Sequence, residues 1–189
     1  MKDLRTVPSQ VMWHDGMVLC PQHLQQGFSR SEELLQYYQT MAGPFPFGLT
    51  AFTYDESLIT SGILKVTKLE LIFPDGFTYA YDPSVDESLE LDLNKYKSEL
   101  EKIKETLIHV VMPRKLSSNT VVGTNISRFK AVDPEYSFDQ ITGEDEVLIP
   151  RLRPNVQLVF VKEAKMDVVS IPLLHVVYEN EFIKLKPFI

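Results

Sequence analysis

The sequence predicts a mainly β fold: a β-sandwich with one N-terminal α-helix packed against it. Two observations lead there. Helical periodicity is sustained over several turns in only one stretch, residues 21–41. Behind it, short extended segments alternate with turn signals almost to the C-terminus, the pattern of packed antiparallel sheets. A chain of 189 residues buries about 70% of the surface its unfolded form exposes, enough for two sheets to share a core. Its hydrophobic fraction of 44% and charged fraction of 24% fit a soluble globular protein. The expected organisation is one domain over 1–189, with an arm over 1–20, the helix over 21–41 and the sandwich over 48–189.

The helix opens at Pro21, a position where the missing N–H costs nothing. Leu24, Phe28, Leu35 and Tyr38 fall on one stripe, widened by Leu34 and Met41. Gly43-Pro44-Phe45-Pro46-Phe47-Gly48 ends it. Leu49 to Tyr54 then reads as a strand, and Ile63, Val66, Leu69, Leu71 and Phe73 as a longer extended run. Pro74-Asp75-Gly76 supplies a hairpin turn, and Phe77, Tyr79 and Tyr81 alternate behind it as one strand face. Leu89, Leu91 and Leu93 alternate again, and Ser98 with Glu101 marks a capped short helix between Asn94 and Lys104.

Leu107 to Met112 is apolar enough for a buried strand, and Arg114 to Thr124 reads as a polar loop. Phe129 to Val132 and Tyr136 to Ile141 are short strands separated by Asp133-Pro134. Gly143 to Glu146 is an acidic turn, and Val156 to Val161 a strand. Val168 to Val177 and Phe182 to Leu185 form a hairpin about Tyr178-Glu179-Asn180-Glu181.

Charge and cysteine usage narrow the function classes. A net charge of −7 repels phosphate, and no basic stripe offsets it, so nucleic-acid binding is not expected. The one cysteine, Cys20, rules out an intramolecular disulfide and fits a reducing compartment. Neither a signal-peptide pattern nor an apolar run of membrane-spanning length occurs, which makes a cytoplasmic location without membrane insertion the expectation.

Three chemistries remain to be weighed. Cys20-x-x-His23 with His14 offers three soft ligands, but a structural zinc site uses four and no second close pair exists. A Cys20–His23 nucleophilic pair lacks a recognisable orienting group and oxyanion site. The segment Asp139 to Glu146 lacks the acid spacing of a calcium loop. No cofactor, metal or catalytic set is therefore expected.

The densest signal is Trp13-His14-Asp15-Gly16-Met17-Val18-Leu19-Cys20-Pro21-Gln22-His23-Leu24-Gln25-Gln26. A tryptophan and a turn lead through a short apolar run into a helix whose first turn is rich in amides. These residues resemble the N-terminal signature of TssK, the type VI secretion baseplate family, with Val18 and Leu24 standing where that family favours phenylalanine. Leu152-Arg153-Pro154-x-Val156-Gln157-Leu158 and the ending from Ile171-Pro172 to Pro187-Phe188-Ile189 are similar to it as well.

The resemblance implies a β-sandwich shoulder domain like those of phage receptor-binding proteins. It also implies a non-enzymatic adaptor that contacts the wedge proteins TssF and TssG. Whole family members are trimeric and continue into a neck and a head that meets the membrane complex, both absent from a chain ending at Ile189. The expected partner-binding set is Trp13, His14, Asp15, Gly16, Pro21, Gln22, His23, Gln25 and Gln26, with Leu19 and Leu24 packing inward. Rival readings are a phage-tail-like surface- or carbohydrate-binding sandwich, using Phe77, Tyr79 and Tyr81 as an aromatic shelf, and a Cys20/His23 enzyme.

Overall fold

The computed structural model describes residues 4–115, 127–160, 167–179 and 182–187. An extended arm leads into helix α1, Pro21–Ala42. Strand β1, Gly48–Tyr54, is followed by the single turn α2, Glu56–Ile59, and the long strand β2, Ile63–Ile72. Strands β3, Thr78–Ala80, and β4, Glu90–Asp92, both pair with β2. Helix α3, Lys97–Ile103, precedes β5, Glu105–Pro113. Among the described residues, strands β6, Phe129–Ser137, and β7, Val147–Pro154, pair only with each other. Strands β8, Gln157–Phe160, β9, Val168–Glu179, and β10, Phe182–Pro187, complete the chain.

Two four-stranded sheets face one another: β1-β2-β3 with β4 also on β2, and β10-β9-β5-β8. The paired strands run antiparallel. The core lies between them. Leu64, Val66, Leu69 and Leu71 of β2 meet Ile108, Val110 and Met112 of β5, and Ile171, Leu174 and Val176 of β9. The predicted mainly β sandwich is the observed one.

Two bulges explain spacings that simple alternation does not. Thr53 pairs with Lys68 but Tyr54 with Val66, so Thr67 is an extra residue on β2. It shifts the pleat by one, which lets both Val66 and Leu69 point inward. On β9 the register steps from Leu174 to Pro172 opposite Ile108 and His109, and the neighbours Leu173 and Leu174 are both buried. Beside this bulge, both ring nitrogens of His109 are buried without a hydrogen-bond partner. Burial holds its imidazole below the ordinary histidine range.

Several local expectations need correction. The short helix is not capped by Ser98, which lies inside α3. Asp92 instead accepts from Asn94 N–H at 3.0 Å and starts the turn that precedes it. Strand β6 runs through Asp133-Pro134 as a bulge rather than stopping there, and it ends at Ser137, short of Ile141. Strand β7 lies where the sequence reading places no element, and it contains Pro150 and Pro154, residues uncommon within strands. A two-stranded ribbon is all edge, so those prolines are tolerated. The expected loop over 116–124, the turn residues Asn180 and Glu181, and the final Phe188 and Ile189 lie outside the described residues.

The β6–β7 ribbon is clamped at its base. Arg128 pairs with Asp75 at 2.8 Å, donates to the Pro113 carbonyl at 2.9 Å and stacks over Phe77 at 4.9 Å. Asn155 donates from its side chain to the Ser127 carbonyl at 2.9 Å. Lys130 pairs with Glu87, and Phe129 packs edge-on against Phe77.

Candidate docking surface

The arm approaches α1 through a turn at Asp15-Gly16, where Gly16 has φ 74°, a value that favours glycine. Met17 N–H donates to the His14 carbonyl across it at 3.4 Å. Pro21 takes the first helical position as expected, and the helix start is closed by an unusual reciprocal cap. Cys20 N–H donates to His23 Nδ1 at 3.1 Å, while His23 N–H donates to the Cys20 carbonyl at 3.0 Å. An imidazole thus fills the role that Glu or Gln has in the usual box. The same ring lies 6.1 Å from the Trp13 indole. Trp13, Cys20 and His23 therefore converge as a structural unit at the arm–helix junction.

That geometry bears on the chemical rivals. His23 Nδ1 is engaged by a backbone N–H and not by the Cys20 thiol, which donates to the Val18 carbonyl at 3.9 Å. His14 faces the Asp15 carbonyl. Among the described residues, no three His, Cys, Asp or Glu side chains form a group that could hold a metal. The aromatic shelf fails on burial: Tyr79 and Tyr81 are in the core and Phe77 packs against it.

The larger surprise is which way α1 faces. Leu19 and Leu24 do not pack inward; both are exposed. So are Phe28 at 67%, Leu35 at 62%, Tyr38 at 65% and Met41 at 61%, and no residue of the helix is buried. The polar flank meets the body instead. Lys115 donates to Ser29 Oγ at 2.7 Å and pairs with Glu33 at 3.0 Å. A Cβ on Gly76, at φ +86°, would sit 2.6 Å from Gln36 Cγ, so the helix rests directly on the β2–β3 turn. Arg30 reaches back to the Pro8 carbonyl in the arm.

Of the predicted partner-binding residues, Trp13, His14, Asp15, Gly16, Pro21, Gln22, Gln25 and Gln26 are exposed and His23 is half-buried. At 100° per residue the three glutamines fall on the flank of Ser29, Glu33 and Gln36, away from Leu24 and Phe28. Missing from that set were Phe28, Leu35, Tyr38 and Met41. Their stripe was visible in the sequence, but the same spacing serves a face turned to a core or to a partner.

Fold and surface together define a mainly β sandwich module that carries an amphipathic helix with its apolar side turned to solvent. The family model for bacterial type VI secretion, described as VC_A0110, EvfL, ImpJ, VasE, matches residues 23–189, and the chain belongs to that family. The matched stretch begins after the Trp13–Gln22 part of the opening motif.

Solved structures agree on the fold. A chain of the type VI secretion TssK-TssF-TssG baseplate subcomplex, seen by cryo-electron microscopy, superposes with a TM-score of 0.81 at 20% identity, over 96% of this chain and 61% of that one. The crystal structure of TssK gives 0.78 at 17% identity, over 95% and 41%. A chain of the type VI secretion baseplate complex gives 0.76 at 21% identity, over 94% and 57%. The chain thus spans between 41% and 61% of the length of these relatives. No curated protein sequence matches it. Among the described residues, no helix is long and apolar enough to cross a membrane.

Proposed function

We propose that this chain is the N-terminal shoulder of a TssK-type adaptor and that it docks TssF–TssG wedge subunits through the outer face of α1 and the adjoining arm. One observation carries the reading: the apolar stripe Leu24, Phe28, Leu35, Tyr38 and Met41 is exposed along the whole helix. Met12, Trp13, Val18 and Leu19 of the arm, and Phe45 and Phe47 beyond the helix, are exposed as well. A helix that turns a whole apolar stripe to water has a partner for it, and aromatic side chains are frequent anchors of binding energy.

Family membership and the likeness to a chain of the TssK-TssF-TssG subcomplex support this choice of partner. In this reading the arm spans 1–20, the helix 21–41 and the sandwich 48–189, the role is structural rather than enzymatic, and it is carried out in the bacterial cytoplasm. Trp13 and His23 hold the arm against the helix start, while Gln22, Gln25 and Gln26 lie on the opposite flank and border the arm rather than the apolar stripe. Trimerisation and the link to the membrane complex belong to the longer protein.

The test is co-purification of this chain with TssF and TssG from the same bacterium. The double variant Phe28→Ser/Leu35→Ser should lose capture while keeping the unfolding midpoint. Undiminished capture by the variant removes α1 from the interface.

A further inference from the structure

The β6–β7 ribbon carries a second unpartnered face, and we infer that it docks a protein surface with an apolar centre and a lysine- or arginine-rich rim, separately from α1. The register places Tyr136 opposite Leu148 and Ala131 opposite Leu152, on one side of the ribbon. Strand β7 is regular along this stretch, so Leu148, Pro150 and Leu152 share that side. All of these residues are exposed. The row runs outward from Phe129, which is anchored on Phe77, to Phe138 and then Ile141, which is 95% exposed at the tip.

A two-stranded ribbon alone in water is marginal. This one is fixed at its base by Arg128–Asp75, Lys130–Glu87 and Asn155–Ser127. Its tip is ordered by Asp139, whose carboxylate accepts from the N–H groups of Ile141 and Thr142 at 2.8 and 2.9 Å. Little ordering remains to be done on binding, which favours affinity.

Charge identifies the occupant. Between Ala131 and Pro150 lie Asp133, Glu135, Asp139, Glu144, Asp145 and Glu146, with no lysine or arginine. Those six acids amount to a formal −6, and with Lys130, Arg151 and Arg153 near the base the ribbon keeps a net −3 that is concentrated toward its tip. All six are exposed, and of them Glu135 pairs with Arg151. An apolar row rimmed by carboxylates is complementary to a basic-rimmed protein surface. It repels nucleic acid, anionic membrane and a second copy of this acidic chain.

The inference rests on the docking reading for its probe, the TssF–TssG pair. Two variants are compared with the wild-type chain by titration at rising salt: Glu144→Lys/Asp145→Lys/Glu146→Lys, and Tyr136→Ser/Leu148→Ser. Each should weaken binding at least tenfold at low salt without moving the unfolding midpoint, and the charge variant should flatten the salt dependence. If wild type binds and both variants bind equally well, the ribbon is not a docking surface and the α1 reading stands. Absence of wild-type binding overturns both. If the variants instead change the sedimentation of the chain alone, the occupant is a second copy, and the basic partner is excluded.

Discussion

Helices α1 and α3 differ in what their apolar residues touch. The seven-residue α3 puts Leu100, 1% exposed, into the core. It is also stitched to β9, because the Lys104 carbonyl accepts from Tyr178 N–H at 2.8 Å and Glu101 accepts from Tyr178 Oη at 3.2 Å. The 22-residue α1 has no fully buried residue and is tied to the body through polar groups. Tertiary packing supplies most helix stability in proteins. The shorter helix is therefore part of the sandwich, while the longer one is mounted on it and keeps its apolar area for another molecule.

Truncating the buried contact should have the largest effect. Leu100→Ala should cost about 2–5 kcal/mol, as buried leucine truncations do, read as a lower urea midpoint at unchanged slope. A loss comparable to that of a surface change would mean α3 is not integral to the core. Gly76→Ala strains a positive-φ turn and collides with Gln36; a cost of about 1–3 kcal/mol and faster amide exchange in α1 than in β5 are expected. Exchange altered equally throughout would show that α1 is not a separately mounted element.

Changes on the outer face of α1 should be much milder for stability. Phe28→Ser/Leu35→Ser should move the unfolding free energy by only about 0.5 kcal/mol, despite replacing large apolar groups. A loss above about 2 kcal/mol would place that face against the body in solution. Glu33→Ala removes an ion pair whose lysine is half exposed, worth no more than about 1 kcal/mol, and added salt should reduce the difference in melting temperature between variant and wild type.

Acid should separate the two regions from the other side, because α3 lies on β5, which carries His109. Burial lowers the folded-state pKa of that imidazole. Its contribution to stability is therefore present above the unfolded value near 6.5 and is lost as pH falls through the lower folded one. Equilibrium unfolding from pH 7.5 downward should show this decline, and His109→Leu should flatten it. An identical slope in the variant would assign the acid sensitivity to other groups.

The sandwich was legible because its strands bury one face and expose the other, and the turns at Asp15-Gly16 and Pro74-Asp75-Gly76 announce themselves by residue type. The bulges at Thr67 and Leu173 were not legible. Each inserts one residue whose only sequence trace is a shift in alternation, which also marks irregular loops. Strand β7 was hidden by its prolines, whose cost depends on whether a strand has one neighbour or two. The direction α1 faces was the hardest to read. Its polar flank of Ser29, Glu33 and Gln36 and its apolar stripe predict the same helix, and only Gly76 and Lys115, distant in sequence, decide which flank is seated.

Gly76 is one of the seats on which the helix stands. Gln36 stands on it 15 residues from Pro21, so the helix start is about 23 Å away at 1.5 Å per residue. A tilt of about 10° there would swing the Trp13–His23 junction by about 4 Å. A displacement of that size would leave every core side chain in place, because no residue of the helix is buried.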